Sequence, residues 1–278
     1  MNITINGKAA DITLESEKTI GDILAALGDW LENSGFRLSG IDVDGQTIFS
    51  DVLEDAFDTD VSGVDNLDIR TSSLAELTAE ALLKTRGDLA AYEDAPFGEK
   101  RDFAESWGNS PQAGFLAARI PELKDWADRT FSGVGMGAAE LRGIIDERLR
   151  ELTDPIGELN RAGPLIEELV VRLTDLPLDI QTGKDGRAAE TIGIFSGAAE
   201  KVFRIFNLLK TQGFAVEELK AEGIPVADYV GEFGTALKEL LAAYESKDSV
   251  LVGDLAEYEL APRLRSLYDA IRAPCPGV

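Results

Sequence analysis

Apolar residues alternate with polar ones up to about residue 73 and recur at every third or fourth position after it. Alternation places successive side chains on opposite faces of a strand, whereas the longer spacing lines one face of a helix. Because the two patterns follow one another instead of interleaving, the chain predicts an α+β protein: a small sheet, then a larger set of packed helices. The expected division is 1–72 for the sheet domain, 73–272 for an all-helical bundle and 273–278 for a disordered tail.

Charge and residue usage narrow what such a chain does. Its 27 Lys and Arg stand against 51 Asp and Glu, a net charge of −24 with no basic cluster, which repels nucleic-acid phosphates and anionic lipid. Neither nucleic acid nor a membrane is an expected partner. No run approaches the roughly 18 apolar residues that cross a bilayer, and Met1–Gly7 has no basic start followed by an apolar run. The single cysteine, Cys275, forms no internal disulfide and lacks the aliphatic neighbours of a prenylation signal, so a reducing cytoplasm is the expected compartment. The chain has no histidine, which excludes Ser-His-Asp and Cys-His nucleophile systems, His-ligated zinc and Glu-x-x-His di-iron sites.

Within the first segment, Ile3 and Ile5 mark one strand and Ile12 and Leu14 a second, with Asn6-Gly7 in the connection. Thr19 and Asp22 form a capping-box pattern ahead of Ile20, Ile23, Leu24, Leu27 and Leu31, a helix expected to stop at Gly35. Ile41 and Val43, the Asp44-Gly45 turn and Ile48 predict a hairpin, and Leu67 and Ile69 a last strand, after a loop or short helix over Asp51–Asp60. The run Ile41-Asp42-Val43-Asp44-Gly45-Gln46-Thr47-Ile48 resembles the third-strand turn of ubiquitin, and Asp65–Arg70 its final strand. The resemblance implies a ubiquitin-like β-grasp over about a quarter of the chain. It does not extend to conjugation or sulfur transfer, because the last strand runs into Ser72-Ser73 where those proteins end in a free Gly-Gly.

Helices are predicted over 74–93 and 99–107, with Pro96, Pro111 and Pro121 as punctuation. Further helices follow Leu141–Leu152, Leu165–Leu173 with Pro164 in the first turn, Ile192–Leu209, Val226–Tyr244 and 249–272, the last with Leu251, Leu255, Tyr258, Leu264, Leu267 and Ile271 on its apolar face and kinked or interrupted at Pro262. Short connections predict antiparallel hairpins. Lys184-Asp185 and Lys247-Asp248 each precede a long helix with Phe195 and Tyr258 at the same offset, a hint of duplication. Gln181–Glu190 and Lys247–Leu260 also resemble stretches of uncharacterised bacterial helical proteins.

Few constellations point to chemistry. Gly133-Val134-Gly135-Met136-Gly137 has the glycines of a dinucleotide loop but follows an amphipathic helical stretch, which favours an interhelical linker. Thr182-Gly183-Lys184-Asp185-Gly186 has Asp where a phosphate loop needs Ser or Thr, and is expected to be a turn. Asp42-x-Asp44-Gly45 could open a calcium loop, but Leu53 stands where the closing Glu belongs. Asp254 with Glu257, and Glu147 with Glu151, share helix faces and could hold Mg²⁺ if facing helices brought the pairs together. Trp30, Trp107 and Trp126 are expected as core or interface anchors, an exposed tryptophan being instead the mark of a binding hot spot. The reading favoured is a non-enzymatic protein-interaction, adaptor or assembly-accessory protein with no catalytic residues, no cofactor and a protein partner. The alternatives are a Mg²⁺-dependent all-α phosphoanhydride hydrolase using those four carboxylates, and a structural homo-oligomer subunit.

Overall fold

The computed structural model describes residues 1–10, 17–33, 36–49, 53–54 and 56–272. Two compact units divide it, Met1–Ile145 and Asp146–Val278. The first opens with β1 (Asn2–Ile5), β2 (Lys8–Ala9), α1 (Ile20–Asn33), β3 (Phe36–Val43), β4 (Gln46–Phe49) and β5 (Asn66–Ser73). The sheet order is β2-β1-β5-β3-β4, with β1 and β5 parallel and the other pairs antiparallel. Along the chain, two strands, a helix, two strands and a last strand follow one another in the order expected from the apolar pattern. Ile20, Ile23 and Leu24 of α1 close its core against Ile3, Ile41, Leu67 and Ile69. The expected strand positions Ile12 and Leu14, and the helix stop at Gly35, lie outside the described residues, as does the tail 273–278.

Local chemistry sets these elements. Asn6-Gly7 and Asp44-Gly45 both take positive φ at both residues, the conformation a two-residue hairpin turn needs. Asp44 also accepts the backbone N–H of Asn66 at 2.7 Å, and Asp42 those of Gly45 at 2.8 Å and the Thr47 hydroxyl at 3.0 Å. Both carboxylates therefore serve the hairpin and its junction with β5. Thr19 and Asp22 cap α1 reciprocally: the Asp22 N–H donates to Thr19 Oγ1 at 3.2 Å, and the Thr19 N–H to Asp22 Oδ2 at 3.0 Å.

The switch in periodicity coincides with a second capping box. Ser73 ends β5 and caps α2 (Leu74–Asp94): its hydroxyl accepts from Glu76 N–H at 3.1 Å while Glu76 accepts from Ser73 N–H at 2.7 Å. Then come α3 (Lys100–Gly108), α4 (Pro111–Arg119), α5 (Pro121–Phe131) and α6 (Ala138–Thr153). Pro111 and Pro121 start helices at the first position, where the missing N–H costs no bond. Trp107 is buried against Phe131, its indole N–H donating to Asp128 at 2.8 Å.

The second unit contains α7 (Pro155–Gln181), α8 (Asp185–Thr211), β6 (Lys220–Ala221), β7 (Ile224–Pro225), α9 (Val226–Glu245), α10 (Ser249–Asp254), a π-helical turn (Leu255–Leu260) and α11 (Ala261–Arg272). The seam expected in α8 is the core, with Phe195, Ala199, Val202 and Phe206 buried against residues of α7, α9 and α11. Three expectations change here. The helix placed behind Pro164 begins instead at Pro155, because Asp154 caps it by accepting the Gly157 N–H at 2.8 Å. Pro164 and Pro177 then sit inside α7, where burial of Leu159, Ile166, Leu169 and Leu173 offsets the lost backbone bonds. Within the stretch expected to be all-helical, Lys220–Ala221 and Ile224–Pro225 pair as a short hairpin: Glu222 and Gly223 in its turn both take positive φ, and the Glu222 carboxylate accepts from Tyr229 at 3.1 Å and Ser266 at 2.6 Å. Finally, Phe195 is buried and Tyr258 exposed, so the two offsets that hinted at duplication occupy unlike environments.

The interruption expected at Pro262 takes the form of the π-helical turn. Proline has no N–H for a bond four residues back, and its ring crowds that carbonyl. Widening the preceding turn relieves the crowding: the Ala261 N–H donates to Ala256 O, five residues away. The wider turn also shifts the phase of the helix. Leu255, Ala256 and Leu260 face the core, and Tyr258, expected at a buried position, is exposed; Leu251, ahead of the turn and also expected to be buried, is exposed as well.

Candidate functional site

Two places in the second unit gather the residues singled out from sequence. The first joins α6, α7 and α8. Glu147 and Glu151, one turn apart on α6, meet Lys201 and Arg204, one turn apart on α8. Glu158, in the first turn of α7, completes the cluster. Glu151 is 1% exposed and Glu158 2%. The Arg204 guanidinium donates to both oxygens of Glu151, Nε at 3.1 Å and an Nη at 3.0 Å, and Arg148 approaches at 3.5 Å. Lys201 Nζ bridges Glu147 at 2.8 Å and Glu158 at 2.9 Å. The other Glu158 oxygen accepts from Arg150 at 2.8 Å and Arg161 at 2.6 Å.

The two buried carboxyls respond oppositely. Burial pushes Glu151 up to about 7, with help from the neighbouring charges of Glu147 and Glu158 and against the pull of Arg148 and Lys201. Burial acts in the same direction on Glu158, but hydrogen bonds from Lys201, Arg150 and Arg161 outweigh it and hold that group at about 2. Burial opposes the Lys201 ammonium, and its bonds to Glu147 and Glu158 prevail, raising its pKa. The arrangement ties three helices together. A divalent cation would have to displace the ammonium and guanidinium groups that already face these oxygens.

The second place is the hairpin of α9 and α10 with the π-helical turn. It holds Asp254, exposed, and Glu257, half-buried, beside Tyr258. Among the described residues, no group of three or more Asp, Glu or Cys is arranged to hold a metal ion, so the four carboxylates proposed from sequence form no joint centre there. Next to the hairpin, α9, the π-helical turn and α11 border an open surface hollow of about 420 Å³ lined by Glu232, Glu239, Glu259 and Arg263 among others. Arg263 donates to Glu232 at 3.0 Å and Glu259 at 2.9 Å.

In the first unit, Gly133 and Gly135 lie in the connection from α5 to α6 at positive φ. A helix precedes them, as expected of a linker. A cavity of about 580 Å³ lies beside α1 and the β1–β2 hairpin, lined by Ile5, Leu27, Trp30, Leu31, Phe36 and Thr71 among others. Trp107 meets the expectation of a buried anchor, and Trp30 does not: it is 52% exposed. Sequence periodicity missed Lys201, Arg204 and Glu158, because their partners lie on other helices and leave no local pattern.

Comparison with known proteins gives relatives but no activity. Residues 1–73 match a family described as the TP0873 N-terminal domain, and residues 158–270 match a domain of unknown function, DUF8042. Neither description is ubiquitin-like. An uncharacterized protein of Treponema pallidum (strain Nichols) is 25% identical over 275 residues, covering 98% of this chain and 96% of that protein. No solved structure matches. Among the described residues, no helix is long and apolar enough to cross a membrane.

Proposed function

We propose that the protein is a non-enzymatic interaction protein, an adaptor or assembly-accessory factor of the cytoplasm, in which residues 1–72 are a ubiquitin-like β-grasp module adapted to binding. The observation behind this reading is Trp30. A tryptophan on an amphipathic helix ordinarily joins the core, yet this one is 52% exposed, beside Phe36 at the rim of the 580 Å³ cavity. Such a side chain next to an apolar hollow suits the centre of a protein interface, where tryptophan contributes more than most residues. The hydrolase reading has less behind it, since Glu147 and Glu151 are occupied by Lys201 and Arg204.

The test compares the full chain with Trp30→Ala in affinity capture from native lysate with quantitative mass spectrometry. A stoichiometric protein partner is expected with the native chain, and a loss of roughly tenfold or more with the variant. Recovery of bait alone from both, together with saturable thermal stabilisation by Mg²⁺ and nucleotide, would reverse the ranking in favour of the hydrolase.

A further inference from the structure

The hairpin of α9 and α10 displays large apolar side chains on its outside. Leu241 and Tyr244 precede its turn; Val250, Leu251 and Tyr258 follow it, with Val250 72% and Tyr258 67% exposed. Leu240, Ala243 and Val252 already supply the buried face of the same hairpin, so the outer residues are not needed by the core. Single exposed apolar residues are ordinary, but a concentration of them on one short hairpin marks a binding surface. The intervening residues Glu239, Glu245, Asp248, Asp254 and Glu257 are acidic, with Lys247 the only base between 239 and 258. Glu239 also lines the 420 Å³ hollow, where, among the described residues, it has no ion-pair partner.

We propose that this hairpin docks a basic amphipathic helix of a partner protein. The apolar face of that helix would cover Val250, Leu251 and Tyr258, and its Lys or Arg side chains would reach Glu239, Asp254 and Glu257. The proposal rests on the interaction reading and adds a second surface, with the chemistry of what covers it. Charge selects the occupant. Lys and Arg lay their aliphatic stems along apolar surface while their heads reach carboxylates, which satisfies both parts of the hairpin at once. A second copy would set the same acidic face against itself in a symmetric contact. An anionic bilayer would be repelled by the same groups.

The test uses the full chain and two labelled helical peptides of one length, one of Leu and Lys and one of Leu and Glu, in fluorescence anisotropy. Saturable, salt-sensitive binding of the Leu-Lys peptide alone is expected. Val250→Ser with Tyr258→Ser should weaken it roughly tenfold or more, and Asp254→Lys with Glu257→Lys should do the same while flattening the salt dependence. Trp30→Ala should leave it unchanged. Circular dichroism and thermal melts of these surface variants should match the native chain. No binding, equal binding of both peptides, or binding indifferent to the hairpin variants would overturn the proposal. So would a dimer in light scattering, or adsorption to anionic vesicles, that the Val250/Tyr258 variant abolishes. Any of these results leaves the Trp30 capture experiment standing, so the two readings fail separately.

Discussion

At the scale of single residues, Glu158 shows how much a buried carboxylate depends on its partners. Three cations converge on it, and Glu158→Gln leaves Lys201, Arg150 and Arg161 without that charge. A loss of about 2–4 kcal/mol at neutral pH is expected from urea unfolding, toward the low end because Arg150 and Arg161 are half exposed. Held at about 2, below its ordinary 4.5, Glu158 contributes stability that is complete above about pH 4.5 and is lost as pH falls toward 2. Glu151 has the opposite sign. Raised to about 7, its contribution is complete below about pH 4.5 and lost as pH rises through 7. From about pH 5 to about pH 8 the Glu151→Gln variant should therefore gain stability relative to the native chain; a difference that stays constant across that range would refute the assignment. Lys247 offers a separate test. It takes positive φ where α9 ends, and the Asp248 N–H donates back to Ala243 O at 2.9 Å, the closing geometry that glycine usually fills. Lys247→Gly should raise stability by up to about 1 kcal/mol, visible as a higher urea midpoint.

At the scale of elements, helix starts and stops were written locally. Ser73-x-x-Glu76 and Asp154-Pro155 are start signals that override the apolar spacing around them, and the Asp154-Pro155 signal explains why α7 begins well before Pro164. Packing between elements has its own requirements. Gly163 of α7 lies under Tyr268 of α11, where an added Cβ would come within 2.6 Å of the tyrosine oxygen. Gly163→Ala should destabilise by about 1–3 kcal/mol. Removing the hydroxyl as well, in Gly163→Ala with Tyr268→Phe, should recover the loss, since the next atom stands at 3.4 Å and alanine favours the helix. A double variant no better than the single one would show that the hydroxyl is not the obstacle. The π-helical turn belongs to this scale too: one proline altered the phase of an otherwise regular pattern and turned Tyr258 outward.

At the scale of the whole molecule, the charge cluster places the second half of α6 with the helices that follow. The matched region 158–270 begins after Glu147 and Glu151, although these are the partners of Lys201 and Arg204. A fragment 158–278, which loses these carboxylates together with Arg150 and the Asp154 cap of α7, should accordingly be less stable than 138–278 by about 3 kcal/mol or more in urea unfolding, whereas equal stability would mean that the segment before 158 contributes nothing. The sequence by itself determined the α+β order, the hairpin turns at Asn6-Gly7 and Asp44-Gly45, the α1 cap and the buried seam of α8. Each is encoded within a few neighbouring residues, as a period, a cap or a turn dipeptide. Only the tertiary structure decided that Glu151 and Glu158 are buried among cations, that Trp30 is exposed and that Tyr258 leaves the core. Those outcomes depend on side chains brought together from distant positions and on the accumulated phase of a helix, and no local pattern contains either.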